Sequence, residues 1–267
     1  MGYNITMYKN YFHELWQLQQ RWAYKIFYEK IIDEETFGGF TSSIPGEYFN
    51  LVFPKVNKPE DLNLSEILHL FAEIKEKPAI FLFEDQAKDG FVEYLVRQGY
   101  KFECRDCWMG YDPKTYNDKT ISSKIIEVTP KTFSDFKTVL GEIFKKFPGN
   151  TAYLEICEKT LKGDLVNDFT DLKSRFFLIY ENGKPVSGAG MFSSVKNNFA
   201  YLHDAGTLKD FRGKGYQSDL IHYRVNKAVE EGINRIYSSV DHRTQSWSNF
   251  INCGLNQMHM GILLVNG

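Results

Sequence analysis

A basic, glycine-rich turn joins a predicted strand to a predicted helix, with the sequence TLKDFRGKGYQS at residues 207–218. Gly213 and Gly215 can adopt positive φ angles, which lets the backbone come close to a ligand. The first amides of a helix have no partner within the chain, and the helix dipole makes that end partly positive. Arg212 and Lys214 add formal positive charge. The turn predicts a phosphate or pyrophosphate site, although these residues alone fit an ordinary solvated turn equally well.

The segments on either side of the turn favour the ligand-binding interpretation. Residues 199–206 (FAYLHDAG) are predicted to form a strand, and residues 233–240 a second strand. Between them, apolar residues recur at helical spacing until Gly232 offers a stop; they are Leu220, Ile221, Val225, Ala228 and Val229. Strand, turn, helix and strand make a βαβ unit with the glycines at the junction where a phosphate would bind.

At this point the chain resembles the GCN5-related N-acetyltransferase (GNAT) superfamily, whose coenzyme A loop reads Arg/Gln, any, any, Gly, any, Gly/Ala. Residues 212–217 read RGKGYQ, so five of the six positions are compatible. The departure is Gln217, whose side chain either crowds a pyrophosphate or points away and donates a hydrogen bond. Other nucleotide motifs fit worse, since no Gly-Lys-Ser/Thr P-loop is present and no Gly-x-Gly-x-x-Gly opens a first βαβ unit.

The resemblance covers residues from about 125 to the end and implies an α/β fold with a mixed central sheet flanked by helices. It also implies acetyl-CoA (coenzyme A) as the cosubstrate. The residues expected to bind it are Ala205, Gly206, Thr207, Arg212, Gly213, Lys214, Gly215, Tyr216, Gln217, Ser218 and Asn249. The first three would supply backbone amides to the acyl carbonyl where the strand splays, and Gly206 would ease a bulge there.

Other elements of this half are predicted from periodicity. Strands are expected at residues 125–128, 175–180 and 185–192, and helices at 131–146 and 153–165. Asn182-Gly183 lies between two of the strands and is typical of a hairpin turn.

The N-terminal half is predicted to alternate helices and strands. Helices are expected at residues 8–32, 65–76 and 90–98, with strands at 48–53, 78–83 and 100–111. Both Leu95–Tyr100 and Phe250–Leu255 end a predicted helix with glycine ahead of a strand, which indicates a degenerate copy of the same domain; an unrelated cap is nearly as good an interpretation. With Asp112–Lys124 as a polar linker, the predicted domains are residues 1–112, a structural or acceptor-pocket domain, and 125–267.

Composition limits the partners. The formal net charge of −2 provides no long-range attraction to nucleic acid or anionic membrane, so a small-molecule acceptor is expected. An aromatic content of 16% predicts filled cores or an aromatic-lined pocket. The four cysteines include one Cys-x-x-Cys, Cys104–Cys107, but no second pair of ligands that a zinc site needs. With no signal peptide or membrane-length apolar run, a cytoplasmic protein without a metal is expected. Cys104 and Cys107 are expected on opposite faces of a strand. The oligomeric state stays open.

Transfer of an acyl group to an amine needs a base for the amine proton. His203 and Asp204 are the candidate catalytic bases. Strand alternation predicts that their side chains point to opposite faces, so only one would face the acceptor. His203 is the slightly favoured one, because histidine titrates near neutral pH. Both remain open beside a structural role or a water relay.

The leaving thiolate needs an acid or another form of stabilisation. The family often has a tyrosine four residues before the glycine that follows this helix, and this chain has Phe250 there, before Gly254. Ser246, Ser248 or a neighbouring tyrosine would have to replace it. Ser246 and Asn249 share a helix face.

The function predicted from the sequence is acetyl-CoA-dependent N-acylation of a small or amino-acid-like amine, by direct attack in a ternary complex. Two alternatives remain: a catalytically silent acyl-CoA-binding regulatory module, and a transferase of aminoacyl or longer acyl groups.

Overall fold

One mixed sheet of eleven strands organises the described part of the chain, which in this computed structural model comprises residues 27–46, 49–88, 90–163 and 171–266. The strands are β1 (Lys30–Asp33), β2 (Phe37–Thr41), β3 (Leu51–Pro54), β4 (Ala79–Phe83), β5 (Tyr100–Gly110), β6 (Ile125–Glu127), β7 (Lys173–Glu181), β8 (Lys184–Ser194), β9 (Phe199–Thr207), β10 (Ile236–Asp241) and β11 (Asn256–Asn266). The helices are α1 (Leu64–Glu73), α2 (Glu84–Lys88), α3 (Phe91–Arg97), α4 (Phe133–Ile143), α5 (Asn150–Lys162), α6 (Tyr216–Glu230) and α7 (Gln245–Asn252). The α/β class predicted from the sequence is confirmed.

The predicted elements of the C-terminal half are confirmed, with shifts of a few residues at their ends. The helix expected at residues 153–165 is α5, and the strand expected at 233–240 is β10. The hairpin between β7 and β8 turns at Asn182 and Gly183, with φ angles of 51° and 76°. Two positive φ angles in succession are what a two-residue hairpin requires, which is why Asn-Gly predicted it.

One prediction for the N-terminal half is wrong at its end. The helix expected at residues 8–32 falls mostly on residues 1–26, which lie outside the described residues, but Lys30–Asp33 is the strand β1 and pairs antiparallel with β2. Pairing with β2, the next strand along the chain, overrides the local helical spacing there. The strand β2 was not predicted because it contains Gly38-Gly39. Glycine is needed at position 39 of this strand, since a side chain there would collide with the carbonyl oxygen of Leu51 on β3.

The two halves of the chain repeat one strand order. β1, β2, β3 and β4 pair in turn antiparallel, antiparallel and parallel, and β7, β8, β9 and β10 repeat that sequence of pairings. In both halves a short 3-10 turn and a helix connect the parallel strands; the turns are Pro59–Asp61 and Lys209–Phe211. This correspondence supports the interpretation of the N-terminal half as a degenerate copy.

The last strand of each half is exchanged with the other. β5 lies beside β10 of the C-terminal half, β11 lies beside β4 of the N-terminal half, and β5 and β11 pair with each other at the centre of the sheet. Each half therefore completes the sheet of the other. The boundaries at residues 112 and 125 stay a prediction.

The sheet is covered on both faces. Successive residues of β7 show the division, since Phe176 belongs to the cluster that contains residues of α4 and α5, whereas Phe177 belongs to the cluster that contains residues of α6 and α7. Cys104 and Cys107 lie in these two opposite clusters, which confirms their expected orientation. None of the described helices is long and apolar enough to cross a membrane.

The polar segment after β5 is fixed to the C-terminal half. The Ser123 amide donates to Asp219 at 2.9 Å, and the Tyr116 hydroxyl donates to Asn226 at 2.9 Å. The backbone of residues 115–117 passes directly over Gly254, the residue after α7. The predicted linker is thus irregular, as expected, but it is packed in place.

Gly254 and Gly99 provide a matched pair for testing this packing. Both follow a helix with positive φ (83° and 92°), but a side chain at Gly254 would lie 2.7 Å from the Asn117 nitrogen and also collide with the Thr115 carbonyl, whereas nothing lies within 4 Å at Gly99. We expect Gly99→Ala to lower the free energy of unfolding by about 1–2 kcal/mol, from φ strain alone. Gly254→Ala should lower it by roughly 3 kcal/mol or more, because backbone cannot move aside cheaply. Urea unfolding measures both; equal losses would contradict the packed linker.

Candidate active site

A gap opens in the sheet where the parallel strands β9 and β10 separate. Their pairing covers only Ala200–Leu202 and Ile236–Ser238, although both strands continue beyond it. The residues beyond the last pair line a cavity of about 560 Å³. From β9 these are His203, Asp204 and Ala205; from β10 they are Ser239, Val240 and Asp241. The cavity therefore extends between two neighbouring strands whose peptide groups no longer bond to each other.

A bulge in β9 sets the direction of the side chains at this gap. Gly188 of β8 pairs with Gly206, but Gly190 pairs with His203, so β9 has one extra residue in between. Asp204 takes up the distortion with a left-handed φ of 45°, a conformation that aspartate tolerates better than most residues. The prediction that Gly206 carries the bulge is therefore wrong: Gly206 pairs regularly, and its missing side chain makes room for Ile143 of α4.

The predicted opposition of His203 and Asp204 is also wrong. Both side chains line the cavity, and His203 Nδ1 lies 2.6 Å from Asp204 Oδ2. Strand alternation fails here because the left-handed residue rotates the chain between the two side chains. The Tyr153 hydroxyl of α5 donates to the same carboxylate oxygen. The structure thus brings a histidine, an aspartate and a tyrosine together at the gap.

Burial gives this cluster unusual acid–base properties. It raises the pKa of Asp204 to about 7, against a partial lowering by the Arg224 charge. Burial lowers the pKa of His203 well below its usual 6.5, with Arg224 acting in the same direction. The His203 ring stacks on Phe192 with centroids 3.7 Å apart, and its side chain is 5% exposed, compared with 27% for Asp204. Asp204 is therefore the more accessible of the two proton acceptors.

Arg224 of α6 stabilises the bulge through hydrogen bonds to the backbone on either side of it. It is fully buried, and its Nη1 donates to the carbonyls of Gly190 (2.8 Å) and His203 (3.3 Å). Its Nε donates to the carbonyl of Leu220 at 2.9 Å. Its Nη2 is buried without a hydrogen-bond partner among the described residues. Burial lowers the pKa of Arg224 to about 9, so the guanidinium stays charged at neutral pH.

The exchanged strand β5 adds a second carboxylate site to the cavity, opposite a carboxylate of β10. Asp106 of β5 lies opposite Asp241 of β10, and both line the cavity. The Ser239 hydroxyl donates to Asp106. Burial, with the nearby Asp241 charge adding to it, raises the pKa of Asp106 to about 7. The N-terminal half thus places a titratable carboxyl group in a cavity whose other acid–base cluster belongs to the C-terminal half.

Aromatic side chains from both halves make up the rest of the cavity wall. The N-terminal half contributes Phe27, Tyr28, Phe40, Phe49, Phe53, Phe81 and Trp108, and the C-terminal half contributes Phe144, Phe147, Tyr153, Phe192, Tyr201 and Phe250. Among the described lining residues, Arg224 is the one fixed cation, facing the carboxylates Asp106, Asp204 and Asp241. The aromatic content therefore does supply a pocket as well as a core.

The glycine-rich turn has the geometry that an anion-binding loop needs. Gly213 and Gly215 have φ angles of 80° and 82°, and a side chain at either would meet no atom within 4 Å. Gly215 precedes the first residue of α6, and no side chain caps that helix end. An open backbone with positive φ angles, next to an uncapped helix N-terminus, fits a pyrophosphate such as that of coenzyme A.

Several side chains of the turn form hydrogen bonds or ion pairs with neighbouring residues. Gln217 donates to the hydroxyls of Ser187 (3.0 Å) and Thr207 (3.1 Å), so it points away from the turn, as the second of its two expected orientations. Lys214 pairs with Glu181 at 2.7 Å, which balances its charge, and Tyr216 donates to the same carboxylate. Arg212 is exposed, with its Nε donating to the carbonyl of Thr207 at 3.1 Å.

The predicted residues of α7 are divided between cavity and surface. Ser246 is exposed at the cavity edge, Ser248 donates to the carbonyl of Thr244, and Asn249 accepts from Gln245 at 3.0 Å. Phe250 is buried and lines the cavity. Of the sequence-predicted residues, Ser246 therefore joins His203, Asp204 and Ala205 at the cavity, whereas Asn249 is not among the lining residues.

Sequence reasoning missed Tyr153, Arg224, Asp106 and Asp241. One of them left a readable signal, since Arg224 interrupts the apolar stripe of its helix. Asp106 and Asp241 gave none, because strand exchange is what places them together.

Comparison with known proteins gives one family. Residues 142–254 match the sequence model of the acetyltransferase (GNAT) family, which confirms the resemblance carried by the glycine-rich turn. No curated protein matches the chain.

Solved structures share the fold. A GCN5-related N-acetyltransferase from Kribbella flavida is 14% identical with a TM-score of 0.66, over 100% of this chain and 96% of that chain. One from Sphaerobacter thermophilus is 13% identical with a TM-score of 0.62, over 89% and 82%. A tandem GNAT protein from the clavulanic acid biosynthesis pathway is 7% identical with a TM-score of 0.54, over 88% and 85%. At these identities the likeness establishes the fold.

Asp106 supplies a test of the cavity electrostatics. Because its pKa is raised in the folded state, its stabilising contribution is present at low pH and is lost as the pH rises through about 7. Asp106→Asn removes that loss. We expect the variant to melt about 2–4 °C above the wild type at pH 8 and close to it at pH 4, near the unfolded pKa of 3.8 at which the loss begins. Asp61→Asn, at an exposed carboxylate, is the control and should show no such divergence. A constant difference at both pH values would contradict the buried carboxyl group.

Proposed function

We propose that this protein transfers an acetyl group from acetyl-CoA to the amine of a small acceptor, because residues 142–254 match the sequence model of the acetyltransferase (GNAT) family. The observation that carries the proposal is the gap between β9 and β10, which opens into a cavity containing the His203–Asp204 pair. The same strand ends at Thr207, next to the glycine-rich turn. Three residues of extended strand span about 10 Å from Asp204 to Thr207, so one ligand can reach both places.

The glycine-rich turn and the free edge of β9 would bind different parts of acetyl-CoA. The turn at Arg212–Gly215 and the N-terminus of α6 would hold the pyrophosphate, and the unpaired edge of β9 at Ala205 would hold the arm that carries the thioester. Acetyl-CoA supplies the activated acyl carbon. Transfer forms one C–N bond and breaks one C–S bond, leaving the electron pair on sulfur and one amine proton to be removed.

Asp204 is proposed as the group that accepts this proton. It is more exposed to the cavity than His203, and its pKa of about 7 suits a base at neutral pH. His203 and Tyr153 contact its Oδ2 and hold its orientation. Direct attack in a ternary complex needs no covalent enzyme intermediate, and Cys253 is buried at the end of α7.

The acceptor is proposed to be an amine with an apolar body. The cavity wall is largely aromatic, and three carboxylates face it against one arginine. Carboxylates favour a cationic ammonium group, and aromatic faces favour both apolar groups and cations. The Asp106–Asp241 pair would bind the ammonium, which releases one proton to solvent to give the neutral amine that attacks; the second proton is the one that Asp204 accepts. The proposed acceptor class is narrower than the one expected from the sequence, which also included amino-acid-like amines.

Binding at the turn is tested by calorimetric titration of coenzyme A and acetyl-CoA. We expect the double variant Arg212→Ala/Lys214→Ala to bind about tenfold or more weakly than the wild type, because it loses a charge-assisted contact. Lys58→Ala is the matched control, since it removes a positive charge from the corresponding connection of the N-terminal half. Absence of binding by the wild type would refute the proposed function; binding without turnover of any amine would instead favour the regulatory module.

The base is tested by the pH dependence of kcat/KM for a reactive amine. The base must be ionised, so activity should fall as the pH drops through about 7. Asp204→Asn should lose roughly 10²-fold or more in kcat and lose this acidic limb. Asp106→Asn should keep the limb while raising KM. If Asp106→Asn abolishes the limb instead, Asp106 is the base and the assignment to Asp204 is wrong. Parallel assays with longer acyl and aminoacyl donors test the alternative donor groups.

A further inference from the structure

The buried arginine beneath the gap carries a further inference, which rests on the proposed function. We propose that the Arg224 guanidinium stabilises the thiolate that leaves when the acyl group is transferred. This gives Arg224 a catalytic role that the glycine-rich turn and the His203–Asp204 pair do not fill.

The first support is an unsatisfied donor. Arg224 is fully buried, and its Nε and Nη1 donate to three backbone carbonyls, but Nη2 has no hydrogen-bond partner among the described residues. A buried donor of a charged group is costly to leave unpaired. Because Arg224 lines the cavity, a ligand in the cavity can supply the missing acceptor.

The second support is the charge balance around the guanidinium. Asp204 is the carboxylate whose charge acts most strongly on the guanidinium, and it helps to keep Arg224 protonated. Burial raises the pKa of Asp204 to about 7, so that carboxyl is only partly ionised at neutral pH. It also gains the amine proton during the reaction. The positive charge of Arg224 is therefore least compensated at the stage when the sulfur becomes anionic.

The third support is the position of Arg224 relative to α7. Its charge is close enough to act on Cys253 of that helix, and both Arg224 and Phe250 line the cavity. Phe250 has no proton to give, and Ser248 donates to the Thr244 carbonyl. Arg224 is thus the strong donor that lies between the bulge of β9 and α7.

The step balances without another reactant. One C–N bond forms, one C–S bond breaks, and the electron pair stays on sulfur next to the guanidinium. The amine proton passes to Asp204, and the thiolate takes a proton from water when it is released. A neighbouring cation lowers the pKa of a thiol, which makes it a better leaving group.

The experiment measures the ionisation of the thiol of bound coenzyme A, through the ultraviolet absorption of its thiolate over a pH titration. In the wild type we expect the bound thiol to ionise about tenfold more readily than free coenzyme A, a shift of roughly one pKa unit. Arg224→Met should abolish the shift, and Arg224→Lys should keep part of it. Arg175→Met is the matched control, because Arg175 is also buried but pairs with Glu231 and does not line the cavity.

Turnover provides an independent reading. Arg224→Met should lower kcat by about 10²-fold while leaving the Kd for coenzyme A within a few-fold, and Phe250→Tyr should restore part of the loss by supplying a proton donor. A merely structural role for Arg224 would lower stability without this rescue and without the thiol shift.

The outcomes separate the two proposals. If the wild type binds no coenzyme A, the proposed function fails and the inference fails with it. If the wild type binds coenzyme A but its bound thiol ionises like the free one, the role of Arg224 is refuted and the proposed function stands. This wild-type measurement decides the matter even if Arg224→Met does not fold.

Discussion

The left-handed backbone of Asp204 is the constraint on which the rest of the site depends. It places one extra residue in β9 opposite Gly188–Gly190, ends the pairing with β10 after Leu202, and turns His203 and Asp204 to one cavity. The carbonyls of Gly190 and His203 that border the bulge receive hydrogen bonds from Arg224. A strained residue and a buried cation thus stabilise one irregularity together, and the cavity exists because the sheet is interrupted there.

The exchange of last strands makes this cavity a product of both halves of the chain. β5 brings Asp106 and Trp108 next to β10, and the aromatic residues of β2, β3 and β4 close the far wall. The first half has the same order of strands but no glycine in the connection between β3 and α1. The first half, which has no glycine-rich turn of this kind, supplies part of the acceptor pocket that we propose.

Electrostatics in the cavity follow from burial more than from net charge. The chain as a whole is nearly neutral, yet three carboxylates and one guanidinium face a largely aromatic wall. Burial raises the pKa of Asp106 and Asp204 to about 7 and lowers that of His203. The two carboxyl groups thereby become able to exchange protons near neutral pH, which suits the removal of a proton from an amine, whereas His203 is held in its neutral form.

The sequence alone determined the features that depend on neighbouring residues. The glycine-rich turn, its βαβ frame and the Asn182-Gly183 hairpin were predicted correctly, because positive φ and apolar spacing are local properties. Tertiary structure alone decided the rest: that Lys30–Asp33 forms a strand, that Asp106 lies opposite Asp241, and that His203 and Asp204 share a cavity. Strand pairing overrides local spacing in the β1–β2 hairpin and joins residues far apart in the case of Asp106 and Asp241. A single left-handed aspartate reverses the alternation on which side-chain predictions rely. Neither the strand pairing nor the left-handed conformation of Asp204 can be predicted from the neighbouring residues in the sequence.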